Sequence, residues 1–179
     1  KKIISKMICV KKVEECPIKF TSVSFDLNSG KEVQIRKGDL CDAIYASMAV
    51  PALFRPLEKD GMMLVDGGVA DNLPHKILKK MGCNLIICVD ATGNYDGHKY
   101  KRNAVSMLTN ILNVVMRQQQ KLLEDKENIT IAPKLDGILN FSFNKDSAAK
   151  AMKEGEIEAK KYISKIKKRI KQIEESENV

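Results

Sequence analysis

The stretch that decides the fold is Val65-Asp66-Gly67-Gly68-Val69-Ala70-Asp71-Asn72-Leu73-Pro74, which continues the short apolar run Met62–Val65. An apolar strand that ends on Asp-Gly-Gly places the Asp66 carboxylate at the carboxyl edge of a sheet, where ligands and catalytic groups gather in open α/β folds. Gly67 and Gly68 allow a sharp turn and leave space beside the carboxylate. Asp-Gly pairs are also common in plain turns, so the alternative that Asp66 is an Asx-turn residue capping the strand stays open.

The segments around this stretch alternate between strand and helix patterns. Two strands with the turn cluster Asn28–Lys31 between them predict a hairpin. The other predicted elements are a helix over Leu40–Met48 with Asp39 as its N-cap, a helix from Pro74 to Gly82, a buried strand over Asn84–Asp90, a polar loop over Gly93–His98, a helix over Asn103–Glu124, a strand over Asn128–Pro133 and a closing helix from about Ser147 to Glu174. This order predicts an α/β layered fold with a mostly parallel sheet.

Composition limits the class of protein. The 179 residues suffice for one domain, and the apolar fraction of 44% is close to the globular average. The net charge of +8 suits an anionic partner, either phospholipid or nucleic acid. Five cysteines without a CxxC pair favour a reduced, cytoplasmic chain with thiols packed as small core residues. No apolar run reaches the roughly eighteen residues that a membrane span needs.

A second stretch lies upstream and reads Ala46-Ser47-Met48-Ala49-Val50-Pro51-Ala52-Leu53-Phe54-Arg55-Pro56. Together the two stretches resemble the patatin-like phospholipase family, whose members carry Ala-Ser-x-Ala-x-Pro-x-x-Phe-x-Pro, then Asp-Gly-Gly or Asp-Gly-Ala, then Asn-x-Pro. The similarity extends from about Pro17, through the hairpin and the strand Leu85–Asp90, to the closing helix. The resemblance implies a three-layer α/β/α patatin-like fold.

The resemblance also implies a lipid acyl ester hydrolase of the phospholipase A or lysophospholipase type, with a Ser-Asp dyad and without metal or cofactor. Asp66 matches the dyad aspartate, and Gly67 and Gly68 complete the motif. A serine hydroxyl is a weak nucleophile at neutral pH and needs a positioned base. An Asp with a pKa of about 4 becomes such a base when it is held in hydrogen-bond contact with the hydroxyl.

Two departures from the family pattern matter. The chain holds neither the Gly-x-Ser-x-Gly nucleophile elbow nor the Gly-rich oxyanion loop, and Ser47 and Ser106 lack flanking glycines. In the family these elements precede the equivalent of Pro17. We therefore expect residues 1–179 to be the C-terminal part of a single patatin-like domain without its N-terminal strands, and to be catalytically silent alone. Tyr45 stands where many members have Arg, which puts the contact of that Arg in doubt.

The closing helix offers a second kind of function. It combines an isoleucine stripe with many basic residues, as amphipathic helices on anionic membranes do; these are Ile163, Ile166, Ile170 and Ile173 with Lys160, Lys161, Lys165, Lys167, Lys168, Arg169 and Lys171. The alternative, favoured by the few aromatics, is a helix that packs its isoleucines on the sheet. The corresponding function is a non-catalytic module that binds a membrane or a partner, peripheral to the membrane if it binds lipid.

The remaining candidates are weaker. Asp66, Asp71 and His75 lack the spacing of a metal site, and we interpret His75 as a surface histidine. Cys83 and Cys88 are expected in the core. Met107 and Met116 fit an acyl-chain groove and core packing equally well. Nucleic-acid binding has no recognisable motif and few aromatics to support it.

Overall fold

The structure is a computed structural model that describes residues 1–92, 103–123, 125, 127–135 and 145–177. These residues form two compact units. The first unit combines the residues up to Asn72 with the helix that ends at Leu123, and the second begins at Leu73 and takes in the residues after that helix. The polar loop predicted over Gly93–His98 lies outside the described residues.

The first unit is built on a four-stranded antiparallel sheet. Its strands are β1 (Ser22–Asp26), β2 (Lys31–Ile35), β3 (Leu57–Lys59) and β4 (Met62–Asp66), in the order β2-β1-β4-β3. The register of the central pair places Ser24 opposite Asp66 and Phe25 opposite Val65. The predicted hairpin is confirmed as β1–β2, and Gly30 closes its turn with a φ of 67° that favours glycine.

One helix covers this sheet because its side chains at the contact are small. After the four-residue helix α1 (Ile4–Met7), α2 spans Leu40–Ser47, and the Asp39 carboxylate caps it by accepting a hydrogen bond from the N–H of Asp42 at 2.8 Å, as predicted. Ala43 and Ala46 are fully buried. Ala46 forms a core cluster with Leu57 and Leu64. Leu64 is 1% exposed, so its truncation to Ala would cost about 3 kcal/mol.

The second unit begins with α3 (His75–Lys80), which starts one residue after the predicted Pro74. The predicted stop at Gly82 is confirmed, and this glycine adopts the left-handed conformation after the last turn. Strands β5 (Ile87–Val89) and β6 (Ile129–Ile131) pair in parallel. The Lys79 ammonium binds the carboxylates of Asp125 and Glu127 just before β6. Helix α5 (Lys145–Glu177) packs against β6. The remaining long helix, α4 (Ala104–Leu123), belongs to the first unit.

The expectation of a mostly parallel sheet is wrong for the described strands, since only β5 and β6 pair in parallel. The sequence reading missed β3, which a tight turn at Asp60 and Gly61 joins to β4. Both turn residues have positive φ, 51° and 76°, and so short a connection permits only antiparallel pairing. The strand predicted over Asn84–Asp90 is parallel, but it is shorter and Val89 is 59% exposed. The three layers and the single domain stay predictions.

Candidate functional site

The Asp66 backbone connects the two sequence stretches that carry the family resemblance. Asp66 is the last residue of β4, and its N–H donates to the carbonyl of Ala49 at 3.1 Å. Ala49 follows α2 and is fully buried, so this hydrogen bond fixes the end of the strand to the segment after the helix. The sequence places the two stretches in one family motif, and the fold brings them into contact.

The Asp66 carboxylate is half-buried and sparsely hydrogen-bonded. One oxygen, Oδ1, accepts a hydrogen bond from the N–H of Gly68 at 2.8 Å, which is the geometry of an Asx turn. Within the described part of the chain no second donor reaches the carboxylate. Burial raises the pKa of Asp66, and the Gly68 hydrogen bond only partly offsets that shift. The turn interpretation is therefore correct for Oδ1, and the second oxygen accepts no hydrogen bond from the described residues.

Space, and not backbone conformation, requires the two glycines after Asp66. They form a 3₁₀ turn, Gly67–Val69, and neither has a positive φ. A Cβ on Gly67 would lie 2.5 Å from the carbonyl oxygen of Val23. A Cβ on Gly68 would collide with the terminal methyl of Met116 and lie 3.1 Å from Asp66 Oδ1. Gly67 therefore allows the turn to pack against β1, and Gly68 allows Met116 of α4 to approach the turn.

Helix α4 reaches the Asp66 turn with a side on which polar residues accompany Met116. The Asn72 amide donates to Gln120 Oε1 at 3.2 Å, and Met116 touches Gly68. Thr109, on the same side of the helix, is 7% exposed, whereas Met107 is 62% and Ile111 is 52% exposed. The sequence reading missed this contact, because apolar periodicity alone assigns the apolar side of such a helix to the core. The alternative that Met107 packs in the core is therefore wrong, while Met116 lies at the candidate site.

A second carboxylate, Asp26 at the end of β1, was not identified as special from the sequence. Its oxygens accept hydrogen bonds from the N–H of Asn28 and of Met63 and from the N–H and hydroxyl of Ser29. These donors, the Ser29 hydroxyl foremost, lower the pKa of Asp26. Asp26 is 4% exposed and joins the β1–β2 turn to β4, so its role is structural.

His75 and Tyr45 each form a hydrogen bond with a backbone carbonyl. The interpretation of His75 as a surface residue is wrong: it is 6% exposed, and its Nδ1 forms a hydrogen bond with the Leu73 carbonyl at 2.9 Å. Tyr45 donates its hydroxyl to the carbonyl of Arg55 at 2.8 Å, a contact that links α2 to the segment after it.

The five cysteines, all within the described chain, are free thiols. Cys88 is buried as expected, but the expectation of a core position is wrong for Cys83, which is exposed. Among the described residues no group of three or more His, Cys, Asp or Glu side chains is placed to hold a metal ion. No helix within the same residues is long and apolar enough to cross a membrane.

Comparison with known proteins identifies the first part of the chain. Residues 1–79, which include the whole β1–β4 sheet, α2 and Asp66, match the family described as patatin-like phospholipase. Over these residues the match supports an assignment to the patatin-like phospholipase family. The match starts before Pro17, where the sequence resemblance begins, and ends before β5, so the resemblance noted for Leu85–Asp90 and the closing helix lies outside it.

The curated relatives are longer proteins. The chain is similar to an NTE-family protein of Mycobacterium bovis described as uncharacterized, with 40% identity over 85 residues, which are 48% of this chain and 24% of the relative. It is also similar to a putative patatin-like phospholipase domain-containing protein of Caenorhabditis elegans (28% identity; 56% and 9%) and to Lysophospholipase NTE1 of Candida glabrata (49% identity; 26% and 3%). The chain thus spans about a quarter or less of the length of these relatives.

Proposed function

We propose that this chain supplies the general base, Asp66, of a lipid acyl ester hydrolase of the phospholipase A or lysophospholipase type. The observation that carries the proposal is the half-buried Asp66 carboxylate, whose pKa burial raises and which has one hydrogen-bond donor among the described residues. A carboxylate with a raised pKa is a stronger base, and general bases work best when their pKa approaches the working pH. The family of residues 1–79 and the lysophospholipase relative support a lipid ester as the substrate.

The proposed chemistry is a Ser-Asp dyad whose serine belongs to a Gly-x-Ser-x-Gly segment that these 179 residues do not contain. The serine hydroxyl attacks the ester carbonyl carbon while Asp66 accepts its proton. The bond to the alcohol then breaks, Asp66 returns the proton to the departing alcohol, and an acyl-serine ester remains. Water attacks this ester with Asp66 again as base, which releases the fatty acid and regenerates the serine hydroxyl. Gly68 keeps a Cβ away from the carboxylate, since such an atom would lie 3.1 Å from Asp66 Oδ1.

The test is Asp66→Asn in the full-length protein, assayed on a soluble short-chain ester. We expect kcat/KM to fall by about 10²- to 10⁴-fold, because the amide keeps the Gly68 hydrogen bond but cannot accept a proton. Asp60→Asn is the matched control, since it makes the same chemical change at an exposed turn residue with a positive φ that Asn tolerates. Activity retained in Asp66→Asn would exclude Asp66 as the base. The isolated 179-residue chain, without a nucleophile elbow, should show no esterase turnover.

The alternative is a non-catalytic patatin-like module that binds a membrane surface or a partner. The net charge of +8 and the basic helix α5 favour it. A Gly-x-Ser-x-Gly motif in the sequence preceding Lys1 would support the enzyme, and a full-length sequence without one would support the binding module. Either function fits a cytoplasmic protein that is peripheral to the membrane.

A further inference from the structure

One part of α5 carries charge of a single sign. From Lys160 to Lys171, seven of the twelve residues are Lys or Arg and none is Asp or Glu. Lys160, Lys161 and Lys171 form ion pairs with glutamates of the same helix. The four others have no ion-pair partner within the described chain; they are Lys165, Lys167, Lys168 and Arg169.

The same part of α5 carries an apolar stripe that the fold leaves in contact with solvent. Ile163, Ile166, Ile170 and Ile173 recur at spacings of three and four and lie within about 80° of arc on a helix of 3.6 residues per turn. Ile163 is 45% and Ile170 is 41% exposed. From Lys145 to Ser176 no residue of α5 is buried. The expectation that these isoleucines pack on a sheet is therefore wrong for Ile163 and Ile170.

Cations border the stripe on both sides. With the same helical spacing, Lys167 falls about 40° beyond one edge of the stripe and Arg169 about 40° beyond the other. Any apolar surface that covers the stripe must also accommodate these two charges. A second copy of α5 would place cation against cation, and an uncharged protein groove would desolvate Lys167 and Arg169 without compensation.

We propose that residues 160–173 of α5 lie flat on an anionic lipid surface. The four isoleucines enter the acyl-chain boundary, and Lys167 and Arg169 extend along the stripe to bind lipid phosphates on either side. An anionic lipid surface provides acyl chains for the apolar stripe and phosphates for the cations on both sides of the stripe. The proposal does not rest on the proposed catalysis, because no part of it involves Asp66.

The experiment is co-sedimentation of the 179-residue chain with vesicles of phosphatidylcholine alone or with about 30 mol % phosphatidylserine. We expect binding to the anionic vesicles only, and a loss of at least about tenfold in partitioning for Lys167→Glu/Arg169→Glu. Ile163→Ser/Ile170→Ser should also weaken binding, and the binding that remains should disappear when salt is raised. The matched control is Lys11→Glu/Lys19→Glu, which changes net charge equally at two exposed residues that do not belong to α5 and should keep most of the binding.

The proposal would be overturned by equal binding to both vesicle types, by equal loss in the Lys11/Lys19 control, or by a self-association through α5 that the isoleucine variant abolishes while lipid binding is absent. Far-UV circular dichroism shows whether each variant keeps its helices. The single substitutions Lys167→Gln and Arg169→Gln repeat the test with smaller changes, and undiminished binding in both would equally contradict the role of the flanking cations.

Discussion

Asp26 and Asp66 end two neighbouring strands of one sheet, and each accepts a hydrogen bond from the backbone N–H two residues later. Asp26 is the more buried, yet its pKa is lowered, while the pKa of Asp66 is raised. Asp26 has three further hydrogen bonds, one of them from Met63 on β4. Hydrogen bonds to the charged form thus outweigh desolvation at Asp26, and desolvation prevails at Asp66. The hydrogen bond from the residue two positions later is common to both; the further donors, two from Ser29 in the same turn and one from Met63 on β4, are what lower the pKa of Asp26.

The comparison also separates the two proposed roles of the chain. Asp66 has one hydrogen-bond donor among the described residues, and several cations of α5 have no ion-pair partner there. At Asp66 the charge is a single half-buried carboxylate, which suits proton transfer. On α5 it is a set of exposed cations beside exposed isoleucines, which suits a surface. The two proposals therefore fail or succeed independently.

The largest effect on stability should come from Gly67→Ala. Its Cβ would lie 2.5 Å from the Val23 carbonyl oxygen, and because that oxygen belongs to the β1 backbone it cannot move away without disturbing the sheet. We expect a loss of about 3 kcal/mol in the free energy of unfolding, measured by urea denaturation. Gly68→Ala meets the flexible end of Met116 and should cost less, about 1 kcal/mol. Equal losses would show that the close approach at Gly67 does not fix the Asp66 end of the sheet.

A smaller loss is expected from Asp26→Asn. The new amide nitrogen would face donors, either the Ser29 N–H and hydroxyl or the N–H groups of Asn28 and Met63. We expect Tm near neutral pH to fall by about 5 °C in thermal unfolding. Because the pKa of Asp26 is lowered in the fold, its ionised form contributes stability above its unfolded-state pKa, and that contribution is lost as pH falls through the folded pKa. A Tm difference that does not shrink in acid would contradict this role.

The same substitution at Asp66 should have the smallest effect on stability and the opposite sign. Because the pKa of Asp66 is raised in the fold, its ionisation costs stability as pH rises through that pKa. Asp66→Asn removes this cost and keeps the acceptor for Gly68, so its Tm should exceed that of the native chain by about 1–2 °C at pH 7 and by less near pH 4. A lower Tm at neutral pH would show that the Asp66 charge is well compensated in the fold and would weaken the case for a poised base.

Several local features of the fold could be predicted from the sequence because their causes are local. Asp39 caps α2 and Gly82 ends α3, since a capping carboxylate and a left-handed residue act within one helical turn. The hairpin at Gly30 is correct for the same reason. The short strand β3 escaped prediction because Leu57 is the one apolar residue in it. The antiparallel pairing of β1 with β4 is not local, because about forty residues separate Ser24 from its partner Asp66.

By itself the sequence determined the motif, the choice of Asp66 as the aspartate that matches it, and the ends of several elements, because these depend on residues a few positions apart. Only the tertiary structure decided what surrounds each group. Three of the hydrogen bonds to Asp26 come from Asn28 and Ser29 in its own turn, and the tertiary fold adds a fourth, from the Met63 N–H thirty-seven positions along the chain. The burial of His75, the approach of Met116 to Gly68 and the exposure of Ile163 and Ile170 likewise depend on segments far apart in sequence. The pKa of a carboxylate and the exposure of a side chain depend on these distant neighbours, so the sequence pattern of a single helix or turn does not predict them.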